Sequence, residues 1–375
     1  MDHKGRQQHL RDAMSAHRLD AMLVTHLPNV LYLCGFTGSA GVLLVTESKS
    51  VFFTDGRYAV QSRAEVQASR IVIARRSPLV AAAEWLGSHK EASHKETAHK
   101  KSSRRAAPFR VGIEGEHLTV AARNRLAGVL PSHFRLREAP PLVELARMVK
   151  DAEEIARIRA AVIMGAGLFD RALEVIRPGV RETEVAAEME YAARKAGAAA
   201  MSFETIIASG ERSALPHGRA SEATIPEQGF VVCDFGVILT DYCSDMTRTV
   251  FVGRPSEEAS RVYQAVKDAQ QAAVDVVRSG ISVSEVDGAA RKSLQRCDLA
   301  KYFTHSTGHG VGLEIHEAPR VAGGQVETLK PGMVITIEPG VYVPGKWGVR
   351  IEDIVVVTER GCEVLTPTSK ELIAI

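Results

Sequence analysis

The chain has 375 residues, of which 45% are apolar and 25% charged, and its formal net charge is +2. That length exceeds what one hydrophobic core ordinarily serves, so two domains are expected. So small a charge excess builds no field that would favour nucleic acid or a membrane surface; no apolar run reaches the ~20 residues that span a bilayer, and the polar N-terminus is not leader-like, so a cytoplasmic location is expected.

In chain order, short β-branched and aromatic runs at 21–24, 42–45, 51–54, 71–74 and 109–113 alternate with helical stretches such as 119–129. This is the pattern of a small α/β domain, expected to cover residues 1–147. It is interrupted at 88–105 by a basic low-complexity stretch in which His89, His94 and His99 recur every five residues. That spacing does not keep the three rings on one helical face, so a solvated loop is expected rather than a metal cage, with a weak contact arm for nucleic acid or an acidic surface as the other reading.

From residue 148 the texture changes. Asp151 and Glu154 have capping-box spacing, and Ile155, Ile158, Val162, Phe169, Leu173 and Ile176 follow at helical intervals. Arg177, Gly179, Val180, Glu184 and Val185 are echoed 101 positions later by Arg278, Gly280, Ile281, Glu285 and Val286. Each copy reads as helix, glycine turn, helix and then β-hairpin, which predicts an α+β domain over 148–375 with pseudo-twofold symmetry. The five cysteines, Cys34, Cys233, Cys243, Cys297 and Cys362, are scattered and never spaced C-x-x-C, so free thiols are expected.

The two hairpins carry the chemistry. In DFGVILTDYCSDMTRT, Asp234 and Asp245 are equidistant from a turn centred between Leu239 and Thr240; Glu338 and Glu352 are equidistant from Gly345. Simple antiparallel pairing makes each couple face across its ribbon, with Cβ atoms about 4.5–5.5 Å apart. A strand carboxylate is ordinarily a solvated outward side chain, but four converging in otherwise apolar strands repel one another unless cations neutralise them. A neutral nitrogen ligand is available from HSTGHGVGLEIHEAP, where His309 stands among Gly308, Gly310 and Gly312. This glycine-rich stretch lacks the lysine of a phosphate-binding loop.

At these residues the sequence resembles the pita-bread metallopeptidases, which include Xaa-Pro aminopeptidases, prolidases and methionine aminopeptidases. ALPHGRAS, DFGVILTDYCSDMTRT, STGHGVGLEIHEAP, TIEPGVYV and GVRIEDIVVV carry the resemblance. It implies a creatinase/prolidase-like α/β N-terminal domain and a pita-bread catalytic domain, with metal ligands at Asp234, Asp245, His309, Glu338 and Glu352 and Asp245 and Glu352 as the bridging pair. By the same resemblance His217 and His316 hold substrate and the oxygen where charge develops, Glu338 moves the proton, and Arg350 supports the metal site. Two divalent ions are implied, manganese for preference, with cobalt or zinc admitted by the donor set. GFTGSAGVLLVT and FFTDGRY resemble the N-terminal domain of Xaa-Pro aminopeptidases, so aminopeptidase action on proline-containing peptides is expected, with an Xaa-Pro dipeptidase as the alternative. A homodimer is implied by the resemblance, and Asp241-Tyr242 stands where relatives often have Gly-Tyr. A catalytically silent binding module on the same fold is the competing reading from another class, and the complete ligand set argues against it.

Overall fold

The computed structural model describes residues 1–88 and 108–375; all but the first residue of the basic 88–105 stretch lies outside them. The chain divides into two compact units, Met1–Arg147 and Met148–Ile375.

The first unit is built on a six-stranded sheet ordered β4-β3-β2-β1-β5-β6. Its strands are β1 (Ala21–Val24), β2 (Gly41–Thr46), β3 (Ser50–Asp55), β4 (Arg70–Ala74), β5 (Phe109–Glu114) and β6 (Phe134–Ala139). Five of them cover the apolar runs read from the sequence. The sixth, FRLREA, has three charged, exposed side chains because it is an edge strand paired in parallel with β5 only. Helices α1 (His3–Ala16), α2 (Leu27–Cys34), α3 (Gln61–Glu65), α4 (Pro78–Ser88), α5 (Val120–Val129) and α6 (Leu142–Arg147) complete the unit. Thr119 caps α5 through its side chain.

The second unit opens with α7 (Ala152–Val175), whose Asp151–Glu154 capping box is complete, and α8 (Glu182–Lys195). Strands β7 (Ala200–Met201), β8 (Ile206–Ser209), β9 (Gly229–Phe235), β10 (Val237–Leu239), β11 (Tyr242–Cys243) and β12 (Met246–Val252) follow. The order then repeats: α9 (Glu257–Val276), α10 (Val283–Gln295), and strands β13 (Gly308–Gly310), β14 (Glu317–Val321), β15 (Val334–Ile337), β16 (Gly340–Val343), β17 (Trp347–Arg350), β18 (Asp353–Val357) and β19 (Cys362–Val364). The echo between the halves is structural. Gly179 and Gly280 hold φ of +83° and +84°, values that favour glycine. Their N–H groups donate to Ile225 O and Leu329 O, and Arg181 and Ser282 form matching isolated bridges to Thr224 and Thr328. Each half closes its own core: Leu168, Phe169, Val185 and Met189 against β9 and β12 in one, Val262, Val266, Val286 and Leu294 against β15 and β18 in the other.

The halves are knotted by Arg248 of β12, which is 1% exposed. Its guanidinium donates to Asp353 Oδ1 (2.7 Å), Thr368 O (2.7 Å), Ser369 O (2.9 Å) and Glu352 O. Gln270 Nε2 donates to the other oxygen of Asp353 at 2.9 Å. Among the described residues, no helix is long and apolar enough to cross a membrane.

Candidate metal centre

In the first ribbon, β9 and β12 pair with Asp234 opposite Thr247, and β10 and β11 continue the register with Leu239 opposite Tyr242. The turn therefore falls on Thr240 and Asp241, with φ of +49° and +71°, the two-residue turn whose twist suits a hairpin. This corrects the facing pair expected from the sequence: the register differs by two residues, and Asp245 lies diagonal to Asp234. A two-residue shift preserves the side-chain alternation, so both aspartates keep to one face. The second ribbon follows the expected centre at Gly345. Ile337 opposes Asp353 and Gly340 opposes Arg350, which puts Glu338 and Glu352 in register where the ribbon passes from the larger sheet to the β16–β17 pair.

His309 enters from β13, between β14 and β15. A Cβ on Gly308 would lie 1.9 Å from Thr336 O, and one on Gly310 would lie 2.3 Å from Ala318 O, so only glycines allow these strands to close around it. Its Nδ1 lies 3.0 Å from Gly310 O, an arrangement that puts the ring proton on Nδ1 and leaves Nε2 as a lone-pair donor. That Nε2 is 3.5 Å from both Asp245 Oδ2 and Glu338 Oε1. One ligand atom each from Asp245, His309 and Glu352 can be drawn within 4.8 Å of one another.

These groups sit in the floor of a cavity of about 630 Å³, which His217, His305, His316, Arg320 and Arg350 also line. Burial, followed by Glu352, Asp234 and Glu338, holds the Asp245 carboxyl well above the usual carboxylate range. Burial, then Glu338 and Asp234, does the same to Glu352, against a hydrogen bond from Thr247 Oγ1 of 2.7 Å. Glu338 is pushed up to about 8 by burial, with Arg350 opposing the rise and Asp234 adding to it. Burial lowers His309 to about 4, keeping its imidazole neutral. His316 stacks edge-on against His309 with ring centroids 4.4 Å apart; its protonation is disfavoured first by desolvation and then by His217.

Arg350 brings a buried guanidinium into this acidic cluster. It donates to Asp234 Oδ2, to Tyr342 Oη, to Pro216 O at 3.0 Å and to Thr247 Oγ1 at 3.1 Å. It thus braces the aspartate of the first ribbon from a strand of the second. The sequence reading passed over three residues. His305, lowered to about 4 by burial and then by Arg350, places Nε2 3.0 Å from Tyr342 Oη, so these two extend the Arg350 network. Arg320 pairs across the strands with His309, and no acidic partner for it is present among the described residues. His305 and Tyr342 stand four positions from His309 and Glu338 on the quoted motifs, and Arg320 lies just beyond one; only the folded strands show what they face. Cys233 and Cys243, beside the aspartates, are buried free thiols, and burial and Asp234 push Cys233 up to about 12.

Residues 156–359 match the model of metallopeptidase family M24, and residues 6–149 match the creatinase/prolidase N-terminal domain. The chain belongs to metallopeptidase family M24. This M24 chain is 35% identical over 364 residues to the Xaa-Pro dipeptidase of Pyrococcus horikoshii, covering 96% of each protein. It superimposes on an Xaa-Pro dipeptidase from Bacillus anthracis with a TM-score of 0.90, at 37% identity and over 100% of both chains. It also superimposes on an X-Pro aminopeptidase from Thermotoga maritima with a TM-score of 0.83, at 32% identity, over 97% of this chain and 100% of the other. The fold is that of a pita-bread hydrolase with a creatinase-type N-terminal domain.

M24 peptidases work with divalent metal, and the residues here suit such an ion. Asp234 Oδ1, Asp245 Oδ1 and Glu352 Oε1 are buried and have no hydrogen-bond donor. Orphaned carboxylate oxygens in a water-poor site are costly unless a cation takes them up. With a neutral imidazole beside them they form an oxygen-rich donor set with one nitrogen, which suits manganese or a similar ion better than a thiolate-seeking one.

Proposed function

We propose that this M24 peptidase is an Xaa-Pro dipeptidase that holds two divalent ions, manganese for preference, on Asp234, Asp245, His309, Glu338 and Glu352. The observation that carries the dipeptide reading is Arg320: a cation on the cavity wall, cross-strand from His309 and without an acidic partner among the described residues, is matched to the free carboxylate that only a dipeptide places one residue beyond the scissile bond. The names of the dipeptidase relatives support it. Because those relatives span the N-terminal domain as well, the GFTGSAG and TDGRY motifs do not separate the two activities, and the aminopeptidase expected from them gives way.

When bound, the ions supply Lewis acidity that makes water a nucleophile at neutral pH. The chain's own residues do the rest. Glu338 has the more open side chain, 16% exposed against 6% for Asp245, and is placed to receive a proton at its carboxylate and pass it to the leaving imino nitrogen of proline. His217 and His316 line the same cavity and can donate N–H to the carbonyl oxygen as charge develops there. Arg350 keeps Asp234 oriented, and Arg320 fixes the substrate by its C-terminus. A homodimer in the cytoplasm belongs to the same proposal, and light scattering on the purified protein tests the dimer.

Metal-loaded protein assayed on Xaa-Pro and on Xaa-Pro-Yaa should favour the dipeptides in kcat/KM. Arg320→Met should erase that preference chiefly through KM, by on the order of 10–100-fold, the worth of a charge-assisted pair. Faster cleavage of the longer peptides would make the chain an aminopeptidase.

A further inference from the structure

His217 reaches the cavity from the segment 209–221, and its imidazole has no hydrogen-bond partner among the described residues, so the backbone alone aims it. That backbone is gripped from behind by Glu182, the first residue of α8 and 0% exposed. Ser209 donates to Oε1 through N (2.8 Å) and Oγ (2.9 Å); Ser221 donates to Oε2 through N (3.1 Å) and Oγ (2.7 Å). Arg212 Nε reaches both oxygens, at 3.3 and 3.0 Å, and its Nη2 donates to Arg219 O at 2.8 Å. One carboxylate therefore clasps both ends of the segment and, through Arg212, its middle.

The architecture does not require an acid there. At the matching point of the second half, immediately after Ser282, stands Val283, an apolar residue equally buried at 0%. A carboxylate taken fully out of water is costly unless every lone pair is used, so an acid at this point of the first half, where the second half has a valine, points to a geometric task. The second half has its own version of the device. Asp287 of α10, 1% exposed, accepts from Thr307 Oγ1 (2.8 Å) and Arg291 Nε (2.7 Å). Arg291 donates in turn to Phe303 O (3.0 Å) and His305 O (2.6 Å). In both halves a buried acid on the second helix, joined to an arginine and a hydroxyl, grips a stretch that delivers imidazoles to the cavity.

We infer that Glu182 is a positioning residue for the reaction: it sets the place of His217 by closing the 209–221 segment, with Arg212 and Ser221 as its partners. The inference rests on the reading of His217 as a substrate contact. Glu182→Gln keeps the size of the side chain but turns an NH₂ group towards donors, and Ser221→Ala is the milder break. Both should lower kcat/KM on an Xaa-Pro dipeptide, Glu182→Gln by on the order of 10²-fold, the scale of a small misplacement of a reacting group. Ser221→Ala should keep the wild-type melting temperature and bound metal. In a His217→Ala background the same substitutions should cost less than about twofold more, because the contribution they act through is already gone. Losses that multiply in that background would show a general effect on the fold and overturn the inference. Should Glu182→Gln not fold, Ser221→Ala and Arg212→Met carry the same cycle. The His217 ring resonances in NMR spectra give a readout independent of turnover. They should shift or broaden in Ser221→Ala, and unchanged resonances overturn the inference even if the wild type cleaves no prolyl peptide, an outcome that refutes only the dipeptidase reading.

Discussion

The two carboxylate ribbons reach one cluster by different routes. The aspartate ribbon passes between sheets, from the β9–β12 pair to the β10–β11 pair, closes on a tight turn at Thr240 and Asp241, and presents its acids diagonally. The glutamate ribbon is centred on Gly345 and presents its acids in register where its pairing changes sheets. Their neutralisation differs too. Asp234 receives the guanidinium of Arg350, whereas Glu338 and Glu352 receive the hydroxyls of Thr336 (3.4 Å) and Thr247 (2.7 Å). Alternation along a strand is enough to gather four acids on one side; how each is compensated depends on what the opposite half supplies.

The largest effect should come from removing an acid whose second oxygen has no donor. Asp245→Asn should strip metal from the purified protein and lower activity well beyond the roughly 10–100-fold typical of a supporting residue; retained metal and near-normal turnover would mean that the aspartate ribbon is not part of the metal cradle. A middle-sized effect is the pH dependence of the metal-free cluster, to which Asp245 of one ribbon and Glu338 and Glu352 of the other all contribute. In chelator-treated protein, Glu338 has a folded pKa near 8 against an ordinary 4.5, so the folded state binds its proton more tightly. The stability this gives is complete below about pH 4.5 and is lost as pH rises through about 8. Urea midpoints at pH 5 and 8 should fall with pH, and Glu338→Gln should lessen the fall while Asp245 and Glu352 sustain the rest; an unchanged slope would remove Glu338 as a source. The smallest effect probes the turn. Asp241→Gly relieves a left-handed backbone and should raise stability by no more than about 1 kcal/mol while leaving metal binding intact. A clear loss of stability would place the turn elsewhere.

Much of this was legible before the structure. Residues 21–24 and 109–113 could be read as strands because buried strands need apolar β-branched residues, and the Asp151–Glu154 box marked a helix start because capping is local. The glycine echo at 179 and 280 announced two related halves. The edge strand β6 was missed because its exposed faces carry charges, and the aspartate register was off by two because Thr240 and Asp241 adopt a backbone usually signalled by Asn-Gly. All five ligand candidates lie around the cavity, because parity on a strand survives such a shift. Glu182 could not be picked out, since its partners lie 27 and 39 residues along the chain, and Arg320 and Tyr342 could not because only the strand pairing shows which way they face.

Arg248 imposes an order of assembly. Its carbonyl partners at Thr368 and Ser369 lie 120 and 121 residues further along the chain, so on the ribosome the aspartate ribbon emerges long before the groups that satisfy its arginine. Closure over such distances is slow and comes late in folding. A chain halted before Thr368 would leave the guanidinium that joins the two halves without two of its carbonyl acceptors, so the last residues of the chain complete the seam between them.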